Sequence, residues 1–136
     1  MNKLKKSILE TDSSGTFKLM AVSTSLTLNK LLWSIKTQCN VSLKRNEELE
    51  TRLKSPAFTD RENEIGAIIS LVANKNNQGT LFKKISNVDF LIEVNGLDNL
   101  SMVSNFFSCL KKIQGVTAAI PLDPKSLKIL EPLCPE

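Results

Sequence analysis

Two stretches of this chain place apolar residues at three- and four-residue steps, and short apolar runs of strand character flank both of them. In the first, Leu28, Leu31, Leu32, Ile35 and Cys39 stack on one face of a helix, while Lys30, Ser34, Lys36, Thr37 and Gln38 fall mostly elsewhere. In the second, Leu100, Val103, Phe106, Phe107, Leu110 and Ile113 form a matching stripe. A helix that is apolar on one stripe must bury that stripe against another element. The runs that can supply this layer are Thr16–Thr24, Val41–Arg45, Ile65–Ala73, Leu81–Ile85, Val88–Val94 and Val116–Ile120.

The punctuation between these runs agrees with that division. Ser25 or Thr27 can cap the first helix, and Asp98 or Asn99 the second. Lys111 and Lys112 meet the negative end of the second helix, and Gly115 stands where a left-handed C-cap is wanted. Asn46 to Glu64 is dense in charge and contains Pro56, so it reads as an irregular insertion at 46–64 with helical character at Glu47 to Lys54. Residues 1–15 read as a flexible polar N-terminal segment closed by Ser13-Ser14-Gly15, ahead of a single α+β domain over 16–136. A chain of 136 residues is long enough for one compact core. The expected fold is a ferredoxin-like two-layer α+β sandwich, two helices on one face of a mostly antiparallel sheet of four to five strands.

Composition limits the chemistry. With no His, Ser-His-Asp and Cys-His catalysis and His-ligated zinc are excluded. The five glycines are dispersed, so no phosphate-cradling loop is present, and no cofactor or metal is expected. Cys39, Cys109 and Cys134 include no C-x-x-C pair. No signal peptide is visible, because Glu10, Asp12 and the Ser13-Ser14-Gly15 turn interrupt the run after the first lysines. No apolar stretch approaches a membrane span. These observations predict free thiols in a reducing cytoplasm, with Cys39 and Cys109 as small buried hydrophobes and Cys134 exposed. The net charge of +4 owes much to Lys3, Lys5 and Lys6.

Six residues form the candidate interaction surface. Asp89 and Glu93 lie four apart on a strand and share a face, where two carboxylates can do acid–base work, hold a cation or simply face solvent. The solvent-face reading is preferred. Lys44, Arg45, Lys83 and Lys84 can converge on an anion, although without aromatic interleaving scattered surface cations are the preferred reading, and Lys83 or Lys84 can pair with Asp89 or Glu93 across neighbouring strands. Trp33 flanks the first stripe as either a core-edge residue or an interface anchor.

Phe17–Val22, Leu31–Ile35, Val41–Arg45, Asn87–Ile92 and Ile113–Ala119 together resemble the small bacterial IPExxxVDY proteins, over most of the chain from Phe17 to about Leu130. Val88 and Asp89 match the second half of the motif, with Phe90 in place of its Tyr. Phe82, Lys83 and Lys84 stand where Ile-Pro-Glu would be, so the motif's acid is missing. The resemblance implies a fold and no activity. The run from Val88 to Ile120 also looks like half of an ACT-like regulatory module, which would bind a small-molecule effector at a strand–helix loop.

The expected function is therefore that of a non-enzymatic cytoplasmic domain acting through protein contacts, as a homodimer or with another protein, through an exposed sheet face or edge. Two alternatives differ in partner. One is an RNA-associated accessory domain, from the basic balance and Lys83-Lys84. The other is the effector-binding regulatory domain that the ACT-like resemblance implies. No membrane partner is expected.

Overall fold

The structure, a computed structural model, describes residues 17–77 and 79–135. The expected flexible segment at 1–15 lies outside the described residues. In chain order the elements are β1 (Phe17–Thr24), α1 (Leu28–Cys39), β2 (Lys44–Arg45), α2 (Glu47–Leu53), β3 (Ala57–Asp60), β4 (Ile68–Ala73), β5 (Lys75–Asn76), β6 (Gly79–Thr80), β7 (Phe90–Asn95), α3 (Leu100–Lys112) and β8 (Val116–Leu122). Single 3-10 turns occupy Lys83–Ile85 and Pro124–Leu127.

The helix boundaries follow the capping residues. The Thr27 hydroxyl accepts from the Lys30 N–H, and the Asn99 side chain accepts from the Met102 N–H, so each satisfies a donor that the first helical turn leaves free. Gly115, at φ +101°, turns the chain from α3 into β8; a Cβ there would lie 2.6 Å from Leu26 Cγ, so both backbone and space require glycine. Its carbonyl accepts from the Ser25 N–H and the Thr24 hydroxyl, which ties the β1–α1 junction to the α3–β8 turn.

Six strands form the main sheet in the order β2-β3-β4-β7-β1-β8, and every neighbouring pair is antiparallel. The register lines up Met20, Ile92 and Leu71 on one face, where they join Leu31 and Ile35 of α1 and Val103, Phe106 and Leu110 of α3 in the main core. Both predicted helix stripes therefore dock on one layer. Burying side chains of this size supplies roughly 1.5–3 kcal/mol each, which makes this seam the main source of stability.

The second face is also covered. Phe17 and Leu19 pack with Ile129, and Ala57 and Val72 pack with Leu49 and Cys134. Residues 129–135 thus form a strap that crosses the face opposite the two long helices.

Several expectations are corrected. The sheet has six strands where four to five are expected, because segment 46–64 holds α2, as its helical character suggested, and also β3. Leu81–Ile85 is no strand: it ends in a 3-10 turn, and Leu81 and Phe82 pack under the second face. Only Lys44–Arg45 of the Val41–Arg45 run pairs as a strand. The strand expected from Ile65 starts at Ile68, because the Asn63 side chain accepts the Ile65 and Gly66 N–H groups and holds a turn there. β8 runs through Pro121 to Leu122, which an edge strand tolerates because one side of its backbone needs no donor.

The cysteines depart from expectation as well. Cys39 and Cys109 form a disulfide between the C-terminal end of α1 and the last turns of α3, with Cα atoms 5.9 Å apart. Cys134 is the free cysteine, and it is buried at 2% exposure.

Candidate functional site

The register that builds the helix-facing core also fixes a row on the opposite face. Leu122, Leu19, Glu93, Ser70, Thr59 and Lys44 lie side by side across β8, β1, β7, β4, β3 and β2. The row is apolar at the β8 end, hydrogen-bonding in the middle and cationic at the β2 edge. Ser70 and Thr59 share a 3.0 Å hydroxyl–hydroxyl hydrogen bond, and Glu93 sits beside Ser70 at 1% exposure.

The strap is held over this row by side chains. The Leu133 N–H donates to Glu93 Oε2 at 2.6 Å and the Cys134 N–H to Glu93 Oε1 at 3.0 Å. Asn95 Nδ2 donates to the Cys134 carbonyl at 3.0 Å, and the Arg52 guanidinium donates to the Leu133 carbonyl. Three donors surround the thiol: Arg61 Nη2 at 3.4 Å, Asn46 Nδ2 at 3.7 Å and Thr59 Oγ1 at 3.9 Å. These three also line a cavity of about 550 Å³ that opens toward Lys44 and Arg45. Burial pushes the Glu93 carboxyl up to about 7, while the two N–H donors and the charge of Arg52 pull it back.

The six predicted site residues therefore divide among separate places. Glu93 is buried beneath the strap, which corrects its placement on a solvent face. Asp89 accepts from the Thr24 N–H at 2.9 Å and pairs with Lys75 at 3.2 Å. Lys84 donates to the Ser126 carbonyl at 3.0 Å. Asp89 and Glu93 thus find partners other than Lys83 and Lys84, and the expected cross-strand pairing is not made. Lys44 and Arg45 form the β2 edge, where Arg45 pairs with Glu50 at 2.7 Å and Glu47 at 3.9 Å. The hydrogen bond from Arg45 holds the Glu50 carboxyl below its ordinary value, and the same bond raises Arg45. Lys83 and Lys84 line a different cavity with Ser126 and Lys128, so the two basic pairs do not converge.

A second feature lies at the other end of the sheet. β8 is the outermost strand there among the described residues, seven residues long and free of charged side chains, with Ile120 57% exposed. Directly before it, Gln114 and Gly115 form one wall of a cavity of about 750 Å³, whose other wall carries Lys30 and Trp33 of α1. Trp33 is 63% exposed, which removes the core-edge reading.

Sequence reasoning missed Asn46, Arg52, Thr59, Arg61, Ser70, Asn95 and Cys134. The period of two along Asp89, Leu91, Glu93 and Asn95 does place Glu93 and Asn95 on one face. Nothing local signals that a segment forty residues away covers them. Among the described residues no group of three acidic, Cys or His side chains could hold a metal, and no helix is long and apolar enough to cross a membrane. Comparison of the chain with protein-family models, with curated proteins and with solved structures returns no match.

Proposed function

We propose that this chain is a non-enzymatic interaction domain that pairs with a second copy of itself along β8. The observation that carries the reading is the contrast between the two ends of the sheet. At the β2 end the edge is two residues long and both are charged, the usual protection against edge-to-edge association. At the β8 end the strand is seven residues long, uncharged, and exposes Ile120, with Pro121 the one position that has no backbone donor. Antiparallel pairing of two β8 strands about a twofold axis would extend the sheet and bury both Ile120 side chains. The cavity beside Trp33 adjoins the start of β8, which gives the contact an aromatic flank of the kind enriched at interfaces.

The order β4-β7-β1-β8, antiparallel throughout, supports reading these four strands with α1 and α3 as a ferredoxin-like unit, extended on the β4 side by β3 and β2. Kinship with the IPExxxVDY proteins rests on the sequence resemblance. The cytoplasmic assignment loses one of its grounds, because a disulfide between α1 and α3 is a bond favoured by oxidising compartments. The RNA-associated alternative has no single basic surface to rest on, since Lys44-Arg45 and Lys83-Lys84 line different cavities.

Light scattering on the eluting full chain tests the pairing. The expected result is a dimer for the native chain and a monomer for Ile120→Lys, since a charge at the centre of each facing strand opposes edge pairing. A native monomer at high protein concentration would overturn the proposal, as would an Ile120→Lys protein that stays dimeric.

A further inference from the structure

We propose that the polar row Glu93-Ser70-Thr59, with Asn95 and Arg52 beside it, is a peptide-binding groove that the chain's own strap fills in cis. The occupant it would take in trans is a proline-bracketed segment of another protein, carrying an apolar residue followed by a small one. This inference is independent of the β8 pairing, which lies at the far end of the sheet.

The backbone accounting of the strap carries the argument. Within Pro132-Leu133-Cys134-Pro135 the two prolines have no N–H, so Leu133 and Cys134 hold the segment's only backbone donors. Both donors go to the two oxygens of one carboxylate. Successive N–H groups that point the same way form a nest, a concavity suited to acceptor oxygens, and both carboxyl oxygens of Glu93 sit in it. The two intervening carbonyls are answered by Asn95 and Arg52. Every backbone polar group of Leu133 and Cys134 is thus read by a side chain of the groove, with no strand pairing. Such recognition transfers to any segment with the same backbone shape, because it reads little of the side chains.

The side chains add a coarse filter. Leu133 packs in both apolar clusters of the second face, which sets an apolar requirement at that position. Cys134 is buried beside Asn46, Thr59 and Arg61, whose donors suit a small side chain that carries an acceptor, a thiol or a hydroxyl. This position adjoins the 550 Å³ cavity at the β2 edge, so a bound segment has open space beside it. A purely structural strap could be held by apolar contacts alone. Here the apolar contacts of Ile129 and Leu133 are joined by a carboxylate at 1% exposure, which carries a desolvation cost that apolar contacts do not.

The test uses the native full chain and its own chemistry. With Cys39 and Cys109 in a disulfide, Cys134 is the free thiol, and its burial makes a thiol reagent report departure of the strap. A synthetic peptide of residues 129–135, with Ser in place of the cysteine, should compete for the groove and hold the strap out. Labelling of Cys134 should then rise in proportion to peptide, by roughly tenfold or more across the millimolar range in which a tethered segment is displaced. A peptide of the same composition in scrambled order should leave the rate unchanged. Unchanged labelling with the native-order peptide, or equal acceleration by both peptides, would overturn the proposal. Glu93→Gln, which replaces one oxygen of the fork by a donor, should label faster without peptide and respond less to it. The peptide arm needs only the native chain, so it stands even if that variant fails to fold.

Discussion

Glu93 shows how one residue can be read correctly in position and wrongly in environment. Its strand alternation is plain in the sequence, and it lies on the face of β7 that carries Leu91 and Asn95, whereas Asp89 precedes the strand and bonds to Thr24 and Lys75. The error lies in taking that face for the solvent side, because β7 is central in the sheet and the strap closes over its polar half. Burial has a consequence for pH. A carboxyl whose folded value, about 7, lies above its ordinary 4.5 binds a proton more readily in the folded chain. Its favourable contribution is therefore full below about 4.5, declines as pH rises, and is gone above about 7. Denaturant midpoints of the native chain should fall across that window, by an amount equivalent to about 3 kcal/mol at most. Glu93→Gln should lack this component of the pH dependence, because an amide does not titrate. A native profile that overlays the Glu93→Gln profile from pH 4.5 to 8 would show that Glu93 titrates in the folded chain much as it does unfolded.

At the scale of elements, legibility tracks how local the determining contacts are. α1 and α3 are legible because stripe and N-cap lie within the element or next to it: Thr27 and Asn99 each act where the sequence places them. The expected glycine cap is replaced by an extended Ile113, and Gly115 turns the chain two residues later. β3 is hidden because Ala57–Asp60 is short, follows Pro56 and gains its place from pairing with β4. Leu81 and Phe82 imitate a strand because they are apolar, yet they serve as a plug under the sheet. The disulfide is the furthest from local reading. Cys39 lies on one predicted stripe and Cys109 beside the other, but their pairing depends on the two helices lying alongside each other on the sheet. Closing a loop of sequence separation 70 removes entropy from the unfolded chain worth about 4 kcal/mol. Urea unfolding with and without a reductant should show a loss of that order. The loss should be absent in a Cys39→Ser/Cys109→Ser protein, which starts from the reduced stability. Equal midpoints for the native chain in both conditions would mean that the bond constrains neither state.

The whole molecule is a sheet with two differently fastened covers. On one face the two long helices are packed by apolar stripes and linked covalently. On the other the backbone of a strap is fastened by hydrogen bonds to one buried carboxylate, one amide and one guanidinium. The first cover is legible in outline from periodicity alone, and the second is not, because its partners Asn46, Thr59 and Glu93 belong to the β2–α2 turn, β3 and β7, dispersed along the chain. The division makes an energetic claim. Met20, Leu71 and Ile92 are buried beneath the helices, whereas Leu19, Ser70 and Glu93 lie beneath the strap, so the two fastenings touch different side chains of a common, well-paired layer. Perturbations on opposite faces with no shared partner should then add, within roughly 0.5 kcal/mol. A cycle of four unfolding curves checks this: native and Glu93→Gln chains, each oxidised and reduced, at one pH. A coupling well above that bound would mean that the sheet transmits strain between its covers. Opening of the strap would then be felt by the helix layer, and the groove and the disulfide would have to be treated as a single device.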